Sequence, residues 1–302
     1  MTVVAVAQLA PVIGEPERNR RTAAGAVREA VSAGAELVVL PELCDSGYVF
    51  ESEQEARDLA TPADDSPTLR QWQDLAAAGP TVIVGGFCEL GIDGRLYNSA
   101  ALVDASGTRA LYRKSHLWDR EKLVFTPGGA APPVVSLPFG RVAVVICYDL
   151  EFPEWARLPA LDGADLIAAP VNWPAAPCPP GERPAEVVKA QADASVNGVF
   201  VAVADRCGTE RGVDWISGSV IIGPDGYPLA GPVLADRAAV VLADCDLARA
   251  RHKRLNDHND LFADRRQELY SPVTDGRPEL YSPVTSGDDP HHGDGGDDAP
   301  DA

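Results

Sequence analysis

The sequence predicts an α/β layered domain, and three observations carry that expectation. Runs rich in Val and Ile alternate with Ala-rich stretches of helical period. Residues 142–146 read VAVVI, the kind of continuous apolar run found in strands buried on both faces. No linker of any length divides the chain before its C-terminal end. Taken in order, residues 3–9 read as a first strand. The stretch after it places Ala23, Val27, Ala30 and Val31 at a spacing of three to four, one face of a helix. Residues 36–40 form a strand that delivers Pro41 and Glu42. Residues 81–87 and 99–103 read as two more strands. The turn residues Asp104–Ala105–Ser106–Gly107 then precede a strand over 109–114. After the 142–146 strand, Pro153 marks a helix start, with the helix over 154–162. A strand at 166–169, a helix at 184–196 and strands at 199–204, 219–222 and 239–243 complete the set.

Composition narrows the function classes. Hydrophobic residues make up 45% of the 302, enough for a large core. The formal charge of −19 argues against nucleic acid or an anionic membrane surface as partner. The apolar N-terminal run has no basic segment before it and reads as a strand, not a signal peptide. No stretch approaches the ~20 apolar residues of a membrane span. Six cysteines without a C-x-x-C pair, in a chain too large to need disulfide staples, suit a reduced cytoplasmic protein. No H-x-x-x-H or clustered His/Asp pattern suggests a metal, and no cofactor is expected. Phosphate binding lacks a P-loop; Gly85–Gly86 and Gly128–Gly129 read as turns at strand ends.

The C-terminal end differs from the rest. ELYSPVT occurs at 268–274 and again at 279–285, while 286–302 hold six aspartates and no Lys or Arg. Two copies are too few for a solenoid, so the repeat reads as a local duplication. The expected layout is a domain over 1–260, an arm over 261–285 and a disordered acidic tail over 286–302. Truncation after Thr285 is expected to be neutral, and truncation after Phe262 to weaken subunit association.

Three polar groups stand at the ends of apolar strands, where α/β folds place their sites. Glu42 ends VVLPE, Lys114 ends ALYRK and Cys147 ends VAVVIC. Alone, such a Cys is more often a small core residue and such a Glu a helix cap. Together, each sits inside a distinctive string: PELCDSGY, YRKSHLWDREKLVFTPG and CYDLEFPE. These strings resemble the three signature blocks of the carbon–nitrogen hydrolase (nitrilase) superfamily, over residues of about 3 to 270. The resemblance implies a four-layer αββα sandwich and a homo-oligomer, a dimer or larger. It also implies Glu42 as general base, Lys114 as catalytic lysine, Cys147 as nucleophile and Glu121 as a second, substrate-positioning glutamate.

Chemistry agrees with that implication. An amide carbon is a poor electrophile, so its hydrolysis needs a thiolate, a proton for the leaving amine and support for the oxyanion. A carboxylate beside Cys147 can move those protons. Lys114 and the backbone N–H of Tyr148, at a sharp strand-to-helix turn, can hold the oxyanion. His116 is a rival base for a Cys–His dyad, while its place two residues from Lys114 suits a brace for the site. Further lining candidates are Tyr48, Trp118, Asn172 and Trp173, with the Pro-rich stretch 174–184 bordering an entrance and Arg206 structuring the site or bridging subunits.

The bond cleaved is less determined. Tyr148–Asp149 after the nucleophile stands where nitrilases proper have Trp-Glu, which places the chain with the amidase-like members. Glu151 replaces an Arg found in members that act on acid amides, and hints at a neutral or amine-bearing amide. The leading expectation is hydrolysis of a small linear carboxamide to carboxylate and ammonia. An N-carbamoyl hydrolase or nitrilase, and a non-catalytic assembly subunit, remain as alternatives.

Overall fold

The computed structural model describes residues 1–270. Fourteen strands run in chain order. They are β1 Thr2–Gln8, β2 Leu37–Val39, β3 Val82–Leu90, β4 Leu96–Asp104, β5 Gly107–Arg113, β6 Val134–Leu137 and β7 Gly140–Val144, then β8 Leu166–Pro170, β9 Phe200–Ala204, β10 Thr209–Glu210, β11 Val213–Asp214, β12 Ser219–Ile222, β13 Pro228–Val233 and β14 Ala239–Cys245. The α-helices are α1 Pro16–Ser32, α2 Glu53–Leu59, α3 Pro67–Ala77, α4 Pro153–Leu161 and α5 Ala185–Asn197. Two six-stranded sheets form, β14-β1-β2-β3-β4-β5 and β13-β12-β9-β8-β7-β6, with β10 and β11 as a separate hairpin. In each sheet the central pairs are parallel and the outer pairs antiparallel.

Period-two alternation explains the layering. Val4 and Val6 of β1, with Val39 and Val84, belong to one core cluster with the strands β7, β8 and β9 of the other sheet. Their neighbours Ala5, Ala7, Val38 and Ile83 face the opposite way, onto Ala23, Val27 and Ala30 of α1 and Leu69 and Trp72 of α3. On the far side of the second sheet, Val187, Ala190 and Ala194 of α5 and Ala160 of α4 join its core. β7 and β8 are buried on both faces, as the VAVVI run predicts. The result is the expected α/β order of helix, sheet, sheet, helix.

The elements expected from the sequence do not include α2, α3, β6, β13 or the β10–β11 hairpin. α2, EQEARDL, has no apolar stripe and rests on its cap, the Ser52 side chain accepting from the Glu55 N–H. β6 and β13 are edge strands beside prolines, with partly exposed residues and weak alternation. Gly85 and Gly86 are not turn residues; they lie inside β3. A Cβ at Gly86 would stand 2.5 Å from the Glu42 Cα and the Leu43 N. This glycine therefore lets β3 approach the segment carrying Glu42.

Residues Met1–Phe262 form one unit and Ala263–Ala302 a second. In the second, the described residues include the 3-10 turn Gln267–Leu269, where the Arg266 N–H donates to the Tyr270 hydroxyl. The second ELYSPVT copy, most of the first and the acidic tail lie outside the described residues. No helix among the described residues is long and apolar enough to cross a membrane.

Candidate active site

Three strand ends meet where the sequence places polar groups. Pro41 and Glu42 follow β2, Lys114 follows β5, and Cys147 follows β7 after two further residues. Lys114 continues the β5 ladder, its N–H donating to the Asn98 carbonyl of β4 at 2.8 Å. Its ammonium then reaches inward and donates to Glu42 Oε1 and Glu121 Oε1, both at 2.7 Å. Glu42 and Lys114 are fully buried and Glu121 nearly so. A buried cation between two carboxylates has the partners that charge burial requires.

The carboxylates are further held. Asn98 Nδ2 donates to Glu42 Oε1 at 2.6 Å, and the Tyr48 hydroxyl donates to Glu121 Oε1 at 2.5 Å. Glu42 Oε2 has no hydrogen-bond partner among the described residues. Asn172 ties the two halves together: its Nδ2 donates to the Glu42 carbonyl at 2.9 Å, and its own carbonyl accepts from Cys147 Sγ at 3.7 Å. Asn98 is absent from the sequence-level candidates. The available signal is its polarity, together with Ser99, inside the otherwise apolar β4.

Cys147 sits at φ +47°, in the left-handed region, and opens a 3-10 turn over Cys147–Glu151. That strained residue makes the sharp turn expected from CYDLEFPE. Asp149 braces it. Its Oδ2 accepts from the Ile146 N–H at 3.0 Å and the Tyr112 hydroxyl at 2.7 Å, and its Oδ1 from the His116 N–H at 3.1 Å. His116 Nδ1 also lies 2.7 Å from Asp149 Oδ1, and the His116 ring stacks on Phe152 at 3.9 Å. His116 thus turns towards Asp149, as a brace does.

Burial and charge set the proton affinities. Burial raises the Glu42 carboxyl to about 7, opposed by Lys114 and reinforced by Glu121. Burial also pushes the Cys147 thiol well up; Glu42 adds to that rise and Lys114 counters it. Burial disfavours a charge on Lys114, yet Glu121, Glu42 and Cys147 outweigh it and hold the ammonium above its usual range. The resting arrangement is a neutral thiol beside a carboxyl that titrates near neutrality. Such a carboxyl is suited to take a proton and return it.

A cavity of about 250 Å³ adjoins this cluster and shares Glu121 and Tyr48 with it. Phe50, Val124, Phe125, Val213 and Trp215 supply most of its apolar surface, with Trp118 and Pro174 also on its wall. Trp118 meets Tyr148 edge-on at 4.8 Å. Tyr148, Asn172 and Trp173 are not among the lining residues. Trp173 is buried, with its N–H on Asp205 Oδ1 and its ring facing Gly218. Glu151 is also off the lining and is paired with Lys189 Nζ of α5 at 2.6 Å, so its charge is already answered within the chain. Arg206 is buried beneath Trp215 and is not placed to bridge subunits through its side chain.

Comparison with known proteins settles the family. The carbon-nitrogen hydrolase family model matches residues 3–254. The chain belongs to the carbon-nitrogen hydrolase family. It is 41% identical over 270 residues to a protein named nitrilase from Pyrococcus abyssi, spanning 89% of this chain and 99% of that one. It is 33% identical to the N-carbamoylputrescine amidase of Solanum lycopersicum over 83% of this chain and 88% of that protein. Among solved structures, a glutamate-to-glutamine mutant of the amidase from Nesterenkonia sp. AN1 aligns with a TM-score of 0.74 and 26% identity. The alignment covers 90% of this chain and 100% of that one. That amidase carries acrylamide added at its active-site cysteine. This carbon-nitrogen hydrolase is accordingly an amidase-like enzyme of the nitrilase superfamily.

Proposed function

We propose that this enzyme hydrolyses a small linear carboxamide to a carboxylate and ammonia through a thioester on Cys147. The observation that carries the reading is the buried Lys114 ammonium, 2.7 Å from both Glu42 and Glu121, at the end of the strand pair beside Cys147. Glu42 takes the Cys147 proton through Oε2 as sulfur bonds to the amide carbon. The C–N bond then breaks and Glu42 returns the proton to the departing ammonia. Water next attacks the thioester, giving one proton to Glu42. The C–S bond breaks, the carboxylic product leaves, and the thiol regains its proton. Lys114 and the Tyr148 N–H, in the first turn of a 3-10 helix where intrahelical acceptors are lacking, hold the oxyanion in both steps. Glu121, fixed by Tyr48 and Lys114, accepts from the substrate NH₂.

A second reading, cleavage of an N-carbamoyl group, is supported by the N-carbamoylputrescine amidases among the relatives, at 33% identity. Ammonia release from a panel of aliphatic amides, N-carbamoyl amines and nitriles distinguishes the two. The amide reading predicts turnover of amides above the other classes, and Cys147→Ala without turnover; a preference for N-carbamoyl compounds overturns it. We also propose a homo-oligomer, supported by exposed Leu158 and Leu161 on α4 and Val188 and Val196 on α5. A reducing, cytoplasmic setting fits six free thiols.

A further inference from the structure

The β10–β11 hairpin is fastened to the rest of the unit by more bonds than two two-residue strands need. The backbone entering it is tied to the end of β1, with the Cys207 N–H donating to the Leu9 carbonyl at 2.8 Å. The backbone leaving it is tied to the segment after β8: the Ala175 N–H donates to Asp214 O at 2.8 Å and the Ile216 N–H to Trp173 O at 2.9 Å. Inside the hairpin base lies a buried ion pair, Arg206 Nη2 to Glu210 Oε1 at 3.0 Å. The other oxygen of Glu210 accepts from the Tyr48 and Val49 N–H groups at 2.8 and 2.7 Å. The Arg206 guanidinium lies over the Trp215 ring at 4.5 Å, and that ring meets Tyr48 edge-on at 5.4 Å.

Tyr48 is thus held at both ends by one pair of residues. Glu210 fixes its backbone, and Arg206, through Trp215, fixes its ring. The Tyr48 hydroxyl in turn donates to Glu121, the carboxylate bound to Lys114. The same hairpin places Val213 and Trp215 on the cavity wall. Apart from Glu121, which is already engaged, the charges lining the cavity are Asp119 and Arg120, both exposed and opposite in sign. A wall of Phe, Val and Trp with no net charge to offer suits an apolar, uncharged acyl chain. Burying an amine or carboxylate there would cost its hydration without return.

We propose that the β10–β11 hairpin is the selectivity wall for the acyl group, that Trp215 limits that group's length, and that Arg206 and Glu210 position the wall against Tyr48. The substrate class that follows is the primary amide of a short, neutral, aliphatic acid. The proposal rests on the amide reading of the Cys147 site, so its test includes a readout without chemistry. Binding of acetamide, butyramide, hexanamide and their ω-amino and ω-carboxyl analogues is measured by calorimetry on Cys147→Ala with and without Trp215→Ala. The neutral amides are expected to bind best to Cys147→Ala. Removing the Trp215 ring is expected to shift the hexanamide-to-acetamide ratio towards the longer chain by ~10-fold, the scale set by one methylene in an apolar pocket. A ratio unchanged by Trp215→Ala, or tighter binding of the charged analogues, overturns the proposal. Absence of ammonia release from the wild type, with the binding profile as expected, would instead strike the catalytic reading alone.

The positioning role has its own readout. Glu210→Asp keeps the charge beside Arg206 but retracts the carboxylate by about 1 Å, and is expected to lower kcat ~10–100-fold. If Glu210 acts through Tyr48, adding Tyr48→Phe brings little further loss, whereas independent contributions would multiply. Multiplying losses, or an unchanged kcat in Glu210→Asp with an unaltered Tm, would remove Glu210 from that role.

Discussion

In the proposed mechanism, Glu42 is the residue whose environment most directly controls rate. Burial raises its carboxyl to about 7, with Lys114 opposing and Glu121 adding to the rise. Its ionised form is the one that can take the Cys147 proton. Activity should therefore be lost as pH falls through about 7, with kcat/KM showing an acidic limb there. Glu121→Gln removes the like charge and leaves Lys114 more fully to Glu42, so both changes lower the Glu42 pKa and move the limb to lower pH. A limb that stays in place, or moves up, would mean that another group sets it. Glu42, Lys114 and Cys147 were legible because each ends an apolar run, whereas Glu121 came only from the resemblance of PELCDSGY, YRKSHLWDREKLVFTPG and CYDLEFPE to the family's blocks. Asn98 and Glu210 were not legible. Their roles depend on pairings across 56 residues to Glu42 and 162 to Tyr48, which no local spacing encodes.

Among the elements, the turn at Cys147 is braced by the Asp149 side chain as well as by its own backbone bonds. Four donors from Ile146, Tyr112 and His116 converge on that one carboxylate. In Asp149→Asn an amide NH₂ must face either the Ile146 or the His116 backbone N–H, whichever way it is turned. One buried donor is then left without an acceptor, at a cost of about 1–3 kcal/mol, and the turn at Cys147 shifts. The expected outcome is a lower Tm and kcat reduced ~10–100-fold, as for a displacement of about 1 Å. An unchanged kcat would show that the turn is held without Asp149. The elements were read most accurately where burial is two-sided, as in β8 and β12, because nothing there competes with the apolar run, whereas β7 lies two residues before the expected 142–146. α3 carried its signal openly: Ser66 caps it, Pro67 starts it, and Leu69, Trp72 and Ala76 line one face. The β10–β11 hairpin carried none, since two residues per strand are too few for alternation to register.

Within Met1–Phe262, the helix–sheet–sheet–helix order puts the Glu42, Lys114 and Cys147 cluster at the ends of strands from both sheets. α4 and α5 pack on the Cys147–Glu151 turn and leave Leu158, Leu161, Val188 and Val196 exposed. These side chains are already about half buried, so covering the remainder against a second copy gains roughly 1 kcal/mol each. Leu158→Asp combined with Val188→Asp is therefore expected to shift light scattering towards the monomer mass, whereas the parent scatters as a dimer or larger. A parent that is monomeric at micromolar concentration would contradict the proposed assembly. The overall architecture was legible because α/β alternation is a global pattern. The pairing of the two sheets was not, as it came from resemblance and not from spacing.

In the proposed reaction Cys147 carries the acyl group. Peptide mass spectrometry after mixing the enzyme with a slowly hydrolysed amide, quenched in acid, tests it most directly. An acyl mass increment is expected on the peptide containing Cys147, none on those containing Cys44 or Cys178, and none anywhere in Cys147→Ala. Turnover with Cys147 unmodified at every time sampled, or an adduct that persists in Cys147→Ala, would contradict it.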